Sequence, residues 1–171
     1  MFPKVNPLWA TVLSLSASLP SLVLYAIALL ALDIRREGKV RPLTVKLALA
    51  IIINSLSTWL LKEFTRVPRP GDRNAWGLLE ASRYSFPSGH TSRAFTLAYF
   101  LSKKGGLIKL LWAYATLVGI ARLALSVHWF SDVIVGAVLG VWACVLTENT
   151  YRYWLPIYNN IIGRVRLLKL E

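Results

Sequence analysis

The sequence predicts an all-α integral membrane bundle, and three observations carry that prediction. Hydrophobic residues make up 56% of the chain, with a mean hydropathy of +0.52. They run in long unbroken blocks, where a soluble helix would alternate apolar and polar faces. Short basic turns separate the blocks. Twenty Lys and Arg against eight Asp and Glu leave a formal charge of +12, and that surplus must face phosphate, either lipid headgroups or a substrate. The basic residues sit in clusters between apolar blocks, so no soluble basic face exists to hold nucleic acid, and none is expected as a partner. Cys144 is the single cysteine, which excludes an intrachain disulfide framework and a cysteine metal site. One domain, 1–171, is expected.

The first block, residues 8–32, is long enough to cross about 30 Å of hydrocarbon. No small-residue cleavage site follows it, so it reads as a retained span, kinked at Pro20. Its serines, Ser14, Ser16, Ser18 and Ser21, read as small packing residues or backbone partners. A basic turn with Arg35, Arg36, Lys39 and Arg41 leads to Pro42, which suits a first helical turn. The second span is 43–61, with Asn54, Ser55, Ser57 and Thr58 as bonding partners for a neighbouring helix. Residues 62–90 form the one long polar connection, and Trp76, Leu78 and Leu79 suggest a short interfacial helix within it. A short third span covers 88–102. The fourth covers 107–127 and the fifth 130–146, with Gly136 and Gly140 spaced for close helix packing. Residues 149–171 read as an aromatic and basic interfacial tail, or as a sixth span. Five spans put the basic clusters at residues 35–41, 103–109 and 152–169 on one side, the cytoplasm by the positive-inside rule. The long connection and His128 then share the opposite side.

Phe86-Pro87-Ser88-Gly89-His90 stands at the mouth of the third span. Free backbone N–H groups, a hydroxyl and an imidazole at the positive end of a helix dipole make an anion site, and the plainer alternative is a helix start capped by Ser88. The only other histidine, His128, stands four residues before Asp132. On a helix starting near Ser126 that carboxylate lies one turn away, where it fixes the imidazole tautomer and leaves the other nitrogen as nucleophile or base. Arg122, inside an apolar block, needs a phosphate or Asp132 as partner. A structural Arg122–Asp132 pair with His128 as bystander is the competing reading.

Lys62 with Arg69-Pro70, then Pro87-Ser88-Gly89-His90, then Arg122 with His128 and Asp132 together resemble, in order and spacing, the three-part signature of the type 2 phosphatidic acid phosphatases. The signature spans 62–132. The resemblance implies that His128 attacks phosphorus and becomes phosphohistidine, that Asp132 orients it, and that His90 protonates the leaving oxygen. It implies that Lys62, Arg69, Ser88, the Gly89 amide and Arg122 hold the phosphate oxygens, as fixed cations do in phosphoryl transfer. Those cations supply the charge a metal would bring, so neither metal nor cofactor is expected. The family usually has serine where this chain has Ala121, so one supporting hydroxyl is missing. Integral members commonly show six spans.

A lipid phosphatase of the cytoplasmic membrane, with its site at the extracytoplasmic face, is the resulting expectation. Its partners are the bilayer and a lipid phosphate, with no obligate protein partner. Arg66, Arg73 and Arg83 exceed the signature's needs and face the substrate side, which points to a large anionic headgroup such as lipid A 1-phosphate. Polyprenyl (undecaprenyl) diphosphate, phosphatidylglycerophosphate and phosphatidic acid fit the same pocket. Two rivals are a vanadate-dependent haloperoxidase, similar in its phosphate-like pocket, and a non-catalytic protein that binds or transports anionic lipid. Halide oxidation with bound vanadate would mark the first. A His128 substitution that leaves function intact would mark the second.

Overall fold

The structure is a computed structural model that describes residues 8–70, 83–103 and 105–161. Those residues form six helices and no strand: α1 Leu8–Ser16, α2 Leu19–Glu37, α3 Pro42–Thr65, α4 Gly89–Ser102, α5 Ile108–Ala124 and α6 Phe130–Ile161. The all-α membrane bundle is therefore as expected. α3 and α6 are each long and apolar enough to cross a membrane, and α1 with α2 makes a third candidate bent by 50°. α4 and α5, with 14 and 17 residues, are shorter than the roughly 20 residues a simple crossing needs. Together with its transmembrane relatives described below, this makes the chain an integral membrane protein.

Three boundaries differ from the sequence reading. The first block is two helices, broken at Ala17 and Ser18. Ser18 caps α2 by accepting from the Ser21 N–H at 3.3 Å, and Pro20 sits in the first turn of α2, where its missing N–H costs nothing. α3 runs past residue 61, so Lys62 lies in its last turn and not in the connection. α6 continues through Pro156 to Ile161, so its described part contains the start of the expected tail. Tertiary packing extends it: Tyr151, Leu155 and Tyr158 lie against Val40 and Val45. The suggested interfacial helix at Trp76 to Leu79 lies outside the described residues.

α4 is the centre of the bundle, with α3, α5 and α6 around it. Glycine permits the closest approach. A Cβ on Gly136 would stand 2.6 Å from the Ser88 carbonyl oxygen, and one on Gly140 would stand 2.2 Å from that of Ser92. The two α6 glycines thus let the start of α4 press backbone to backbone against α6. Asn54 joins α3 to α4, donating to Thr96 Oγ1 at 2.8 Å and accepting from the Ser92 hydroxyl and from Thr58. That is the interhelical role expected of Asn54, whereas Thr58 bonds within α3.

Candidate active site

Six segments meet at one end of the bundle: the last turn of α3, the two ends of the long connection, the first turn of α4, the last turn of α5 and the α5–α6 joint. Lys62, Arg69, Ser88, His90, Arg122, His128 and Asp132 are all buried there. Lys62 Nζ donates to the carbonyls of Tyr84 at 2.6 Å and Ser85 at 3.1 Å. Ser85 in turn donates its N–H to Val67 O at 2.9 Å and its hydroxyl to Pro68 O at 3.1 Å. These bonds staple together both ends of the connection, which brings Arg69 beside the PSGH turn.

Ser88 is the N-cap of α4, as the plainer reading of that motif expects. Its Oγ accepts from the Thr91 N–H at 3.5 Å and lies 2.9 Å from Thr91 Oγ1, and its own N–H donates to Asp132 O at 3.0 Å. The cap uses the Thr91 N–H, whereas the expected anion site calls on those of Gly89 and His90 nearer the helix start. His90 follows in the first turn, with the charges of Arg93, Arg69 and Lys62 acting on it.

The α5–α6 joint aims His128. Ser126 takes the left-handed conformation at φ 52°, which a non-glycine residue adopts only when the surroundings impose it. α6 begins at Phe130, later than the expected start near Ser126, so the His128–Asp132 contact is made differently. Asp132 is the third residue of α6 and reaches back over the helix start. Its Oδ2 accepts the Trp129 N–H at 2.9 Å, the return half of a capping box, and meets His128 Nδ1 at 3.2 Å. On the other side of the ring, Arg69 Nη1 lies 3.3 Å from His128 Nε2 and donates to Val127 O at 2.8 Å.

This pair of contacts assigns the tautomer. A guanidinium only donates, so Nε2 is the acceptor and carries the lone pair, while Nδ1 carries the proton towards Asp132. Burial, and after it the charges of Arg122, Arg69 and Lys62, hold the imidazole well below the usual histidine range. His128 is therefore neutral at neutral pH. Burial lowers Arg69 to about 10, against the pull of Asp132, and leaves it charged. Arg122 does not form the rival ion pair with Asp132; its Nη1 donates to Ser14 Oγ of α1.

The family model for the PAP2 superfamily matches residues 43–155. The chain belongs to the PAP2 superfamily. PAP2 phosphatases are hydrolases acting on phosphate esters, and the superfamily's transmembrane members include solved relatives of this chain. The crystal structure of Aquifex aeolicus LpxE is 33% identical, with a TM-score of 0.66 over 82% of this chain and 84% of that one. A transmembrane PAP2 type phosphatidylglycerolphosphate phosphatase from Bacillus subtilis is 25% identical, with a TM-score of 0.71 over 87% and 80%. "Putative undecaprenyl-diphosphatase YbjG" of Escherichia coli (strain K12) is 29% identical over 112 residues, 63% of this chain and 57% of that one. The chain thus matches little more than half the length of that relative.

Three of the sequence-expected residues stand apart from the PAP2 constellation or cannot be placed. Arg66 is exposed, caps α3 at φ 50° and turns its Nε to Glu63 O at 3.1 Å, and Arg83 is exposed. Arg73 lies outside the described residues. Two residues that the sequence does not assign to the site lie there. Ser14 is one. Arg93 is the other: its Nη1 would be 3.1 Å from a Cβ on Gly89, and its Nε donates to Ala17 O at 3.0 Å. The i, i+4 spacing of Gly89 and Arg93 was the available signal for the latter.

Proposed function

We propose that this PAP2 protein hydrolyses a membrane lipid phosphate through a phosphohistidine at His128. The observation that carries the proposal is the fixed tautomer, Asp132 on Nδ1 and Arg69 on Nε2. Nε2 forms the bond to phosphorus while the P–O bond to the lipid breaks, and His90 gives its proton to the departing oxygen. Water then attacks the phosphohistidine, and inorganic phosphate leaves. A dianionic substrate brings the negative charge that favours a protonated His90. Lys62, Arg69, Arg122 and the first N–H groups of α4 hold the equatorial oxygens, where each donor strengthens as charge builds. Those cations do what a metal would do, so turnover is expected to persist in EDTA.

The substrate's chains stay in the bilayer while its phosphate enters the site. Arg35, Arg36, Lys39, Arg41, Lys103, Lys109 and Arg152 belong to the other end of the bundle, which supports a cytoplasmic position for that end and an extracytoplasmic site. Lipid A 1-phosphate remains the reading that rests on Arg66, Arg73 and Arg83. A polyprenyl diphosphate or phosphatidylglycerophosphate is the second reading, favoured by the names of the Escherichia coli and Bacillus subtilis relatives. Phosphate release by the purified protein from lipid A, undecaprenyl diphosphate and phosphatidylglycerophosphate, with and without EDTA, tests the proposal. Release from at least one lipid in EDTA is expected. No release from any of them, or release only with an added divalent ion, would overturn it.

A further inference from the structure

The break in the first apolar block lies against the catalytic end of the bundle. Ser14, wholly buried on α1, accepts a hydrogen bond from Arg122 Nη1, and Arg122 is itself only 1% exposed. The residue before Arg122 cannot supply that hydroxyl. It is Ala121, whose methyl group is buried among Ala10, Leu125 and Val127. The hydroxyl comes instead from a helix more than a hundred residues away in the chain.

The register of α1 is fixed on both sides of Ser14. One turn before it, Ala10 packs on Ala121. Two residues after it, Ser16 Oγ lies 2.8 Å from Tyr114 OH of α5 and donates to Leu13 O at 2.7 Å. Beyond that, Ala17 O at the break accepts from Arg93 of α4. A small side chain held this firmly against a buried guanidinium does more than fill space, because a charge-assisted hydrogen bond in a low-dielectric site fixes direction as well as energy.

We propose that Ser14 is a positioning residue for the phosphoryl-transfer reaction, aiming the guanidinium of Arg122 at the phosphate oxygens. α1 is then a wall of the active site and not only a membrane anchor. This rests on the proposed phosphate role of Arg122, so the experiment separates the two claims.

Five proteins are compared in detergent: the parent, Ser14→Ala, Arg122→Ala, the double variant and, as the conservative control, Ser14→Thr. Two quantities are read for each, turnover of lipid A, undecaprenyl diphosphate and phosphatidylglycerophosphate, and calorimetric affinity for orthovanadate as a phosphate mimic. Ser14→Ala is expected to lower kcat about 10-fold with little change in KM, and to weaken vanadate by a similar factor. Ser14→Thr, which keeps the hydroxyl, should recover most of both. In the Arg122→Ala background the Ser14 substitution should change neither, since its effect runs through the arginine. Parent-like values in Ser14→Ala would overturn the proposal, and so would an equal loss in both backgrounds. Vanadate coupling of the expected form in a parent that hydrolyses none of the three lipids would leave the positioning role standing and count against the phosphatase reading.

Discussion

The two ends of the bundle treat charge in opposite ways. At the α2–α3 turn and the end of α4, cations meet carboxylates: Arg41 pairs with Glu37 and lies 3.8 Å from Asp33, and Lys103 pairs with Glu148, which also accepts from Tyr99 OH at 2.8 Å. At the other end Lys62, Arg69, Arg93 and Arg122 gather, among the described residues, around one buried carboxylate, Asp132, which is already engaged with His128 and the Trp129 N–H. Exposed ion pairs contribute at most about 1 kcal/mol each and need no further explanation. Buried cations are costly unless anions match their charge. The first end holds the helices together, and the second is where the proposed substrate phosphate would bring a matching negative charge.

The same substitution at both ends gives the sharpest contrast. Asp132→Asn keeps the shape of the side chain but loses the charge that steadies His128, and kcat should fall by about 10²- to 10⁴-fold in a folded protein. Asp33→Asn replaces the charged acceptor shared by Thr44 Oγ1 and the Arg41 N–H with a neutral amide; it should cost about 1 kcal/mol of stability and leave kcat unchanged. Thermal unfolding and initial rates on the two variants check both outcomes. A rate loss from Asp33→Asn matching that of Asp132→Asn would erase the distinction between the ends.

Gly136→Ala probes how the site end is built. The new methyl would meet the Ser88 carbonyl at 2.6 Å, so α6 must move from α4, at a cost of about 1–3 kcal/mol by analogy with overpacked cores. Because Ser88 N–H is bonded to Asp132 O, the shift disturbs the proposed phosphate cradle and the His128 partner together. A rate loss of about 10-fold or more beside the stability loss is expected. Normal turnover in a destabilised protein would make Gly136 a packing residue alone.

The smallest effect is a displacement along the pH axis. The imidazole of His128 is held below the usual histidine range, so the neutral nucleophile survives into acid further than a free histidine would. The acid limb of kcat/KM, corrected for the substrate's own ionisation, should therefore fall below about pH 6.5. The linked stability has a definite sign. The unfolded chain takes up a proton near pH 6.5 that the folded chain refuses, so this group destabilises the fold as pH drops through 6.5 towards its folded-state value. An acid limb above pH 7 would show that His128 is charged in the resting protein.

Much of the site could be read from the chain because its chemistry depends on local spacing. Pro87 to His90 open one helix, and the four-residue step from His128 to Asp132 brings the pair together even though α6 starts later than expected. Gly136 and Gly140 were visible as a packing signal, but their target, the carbonyls of Ser88 and Ser92, was not. Ser14 was illegible for a physical reason. One small polar residue in an apolar block looks the same whether it faces a neighbouring backbone or a distant guanidinium, and only the antiparallel register of α1 on α5 decides. The end of α6 was misread because Glu148, Asn149 and Thr150 look like an exit from the membrane, while packing of Tyr151 and Tyr158 on Val40 and Val45 carries the helix onward.

Transfer of phosphate to His128 is tested most directly by rapid quench under alkaline conditions, where phosphohistidine survives. Lipid substrate labelled at its terminal phosphate is mixed with excess protein, and the label is located by peptide mapping. The label should appear on the peptide containing His128 within the first turnover, decay as inorganic phosphate forms, and be absent from His128→Ala. Full turnover by the His128→Ala protein, or label on any other residue of the parent, would contradict a phosphohistidine at this position.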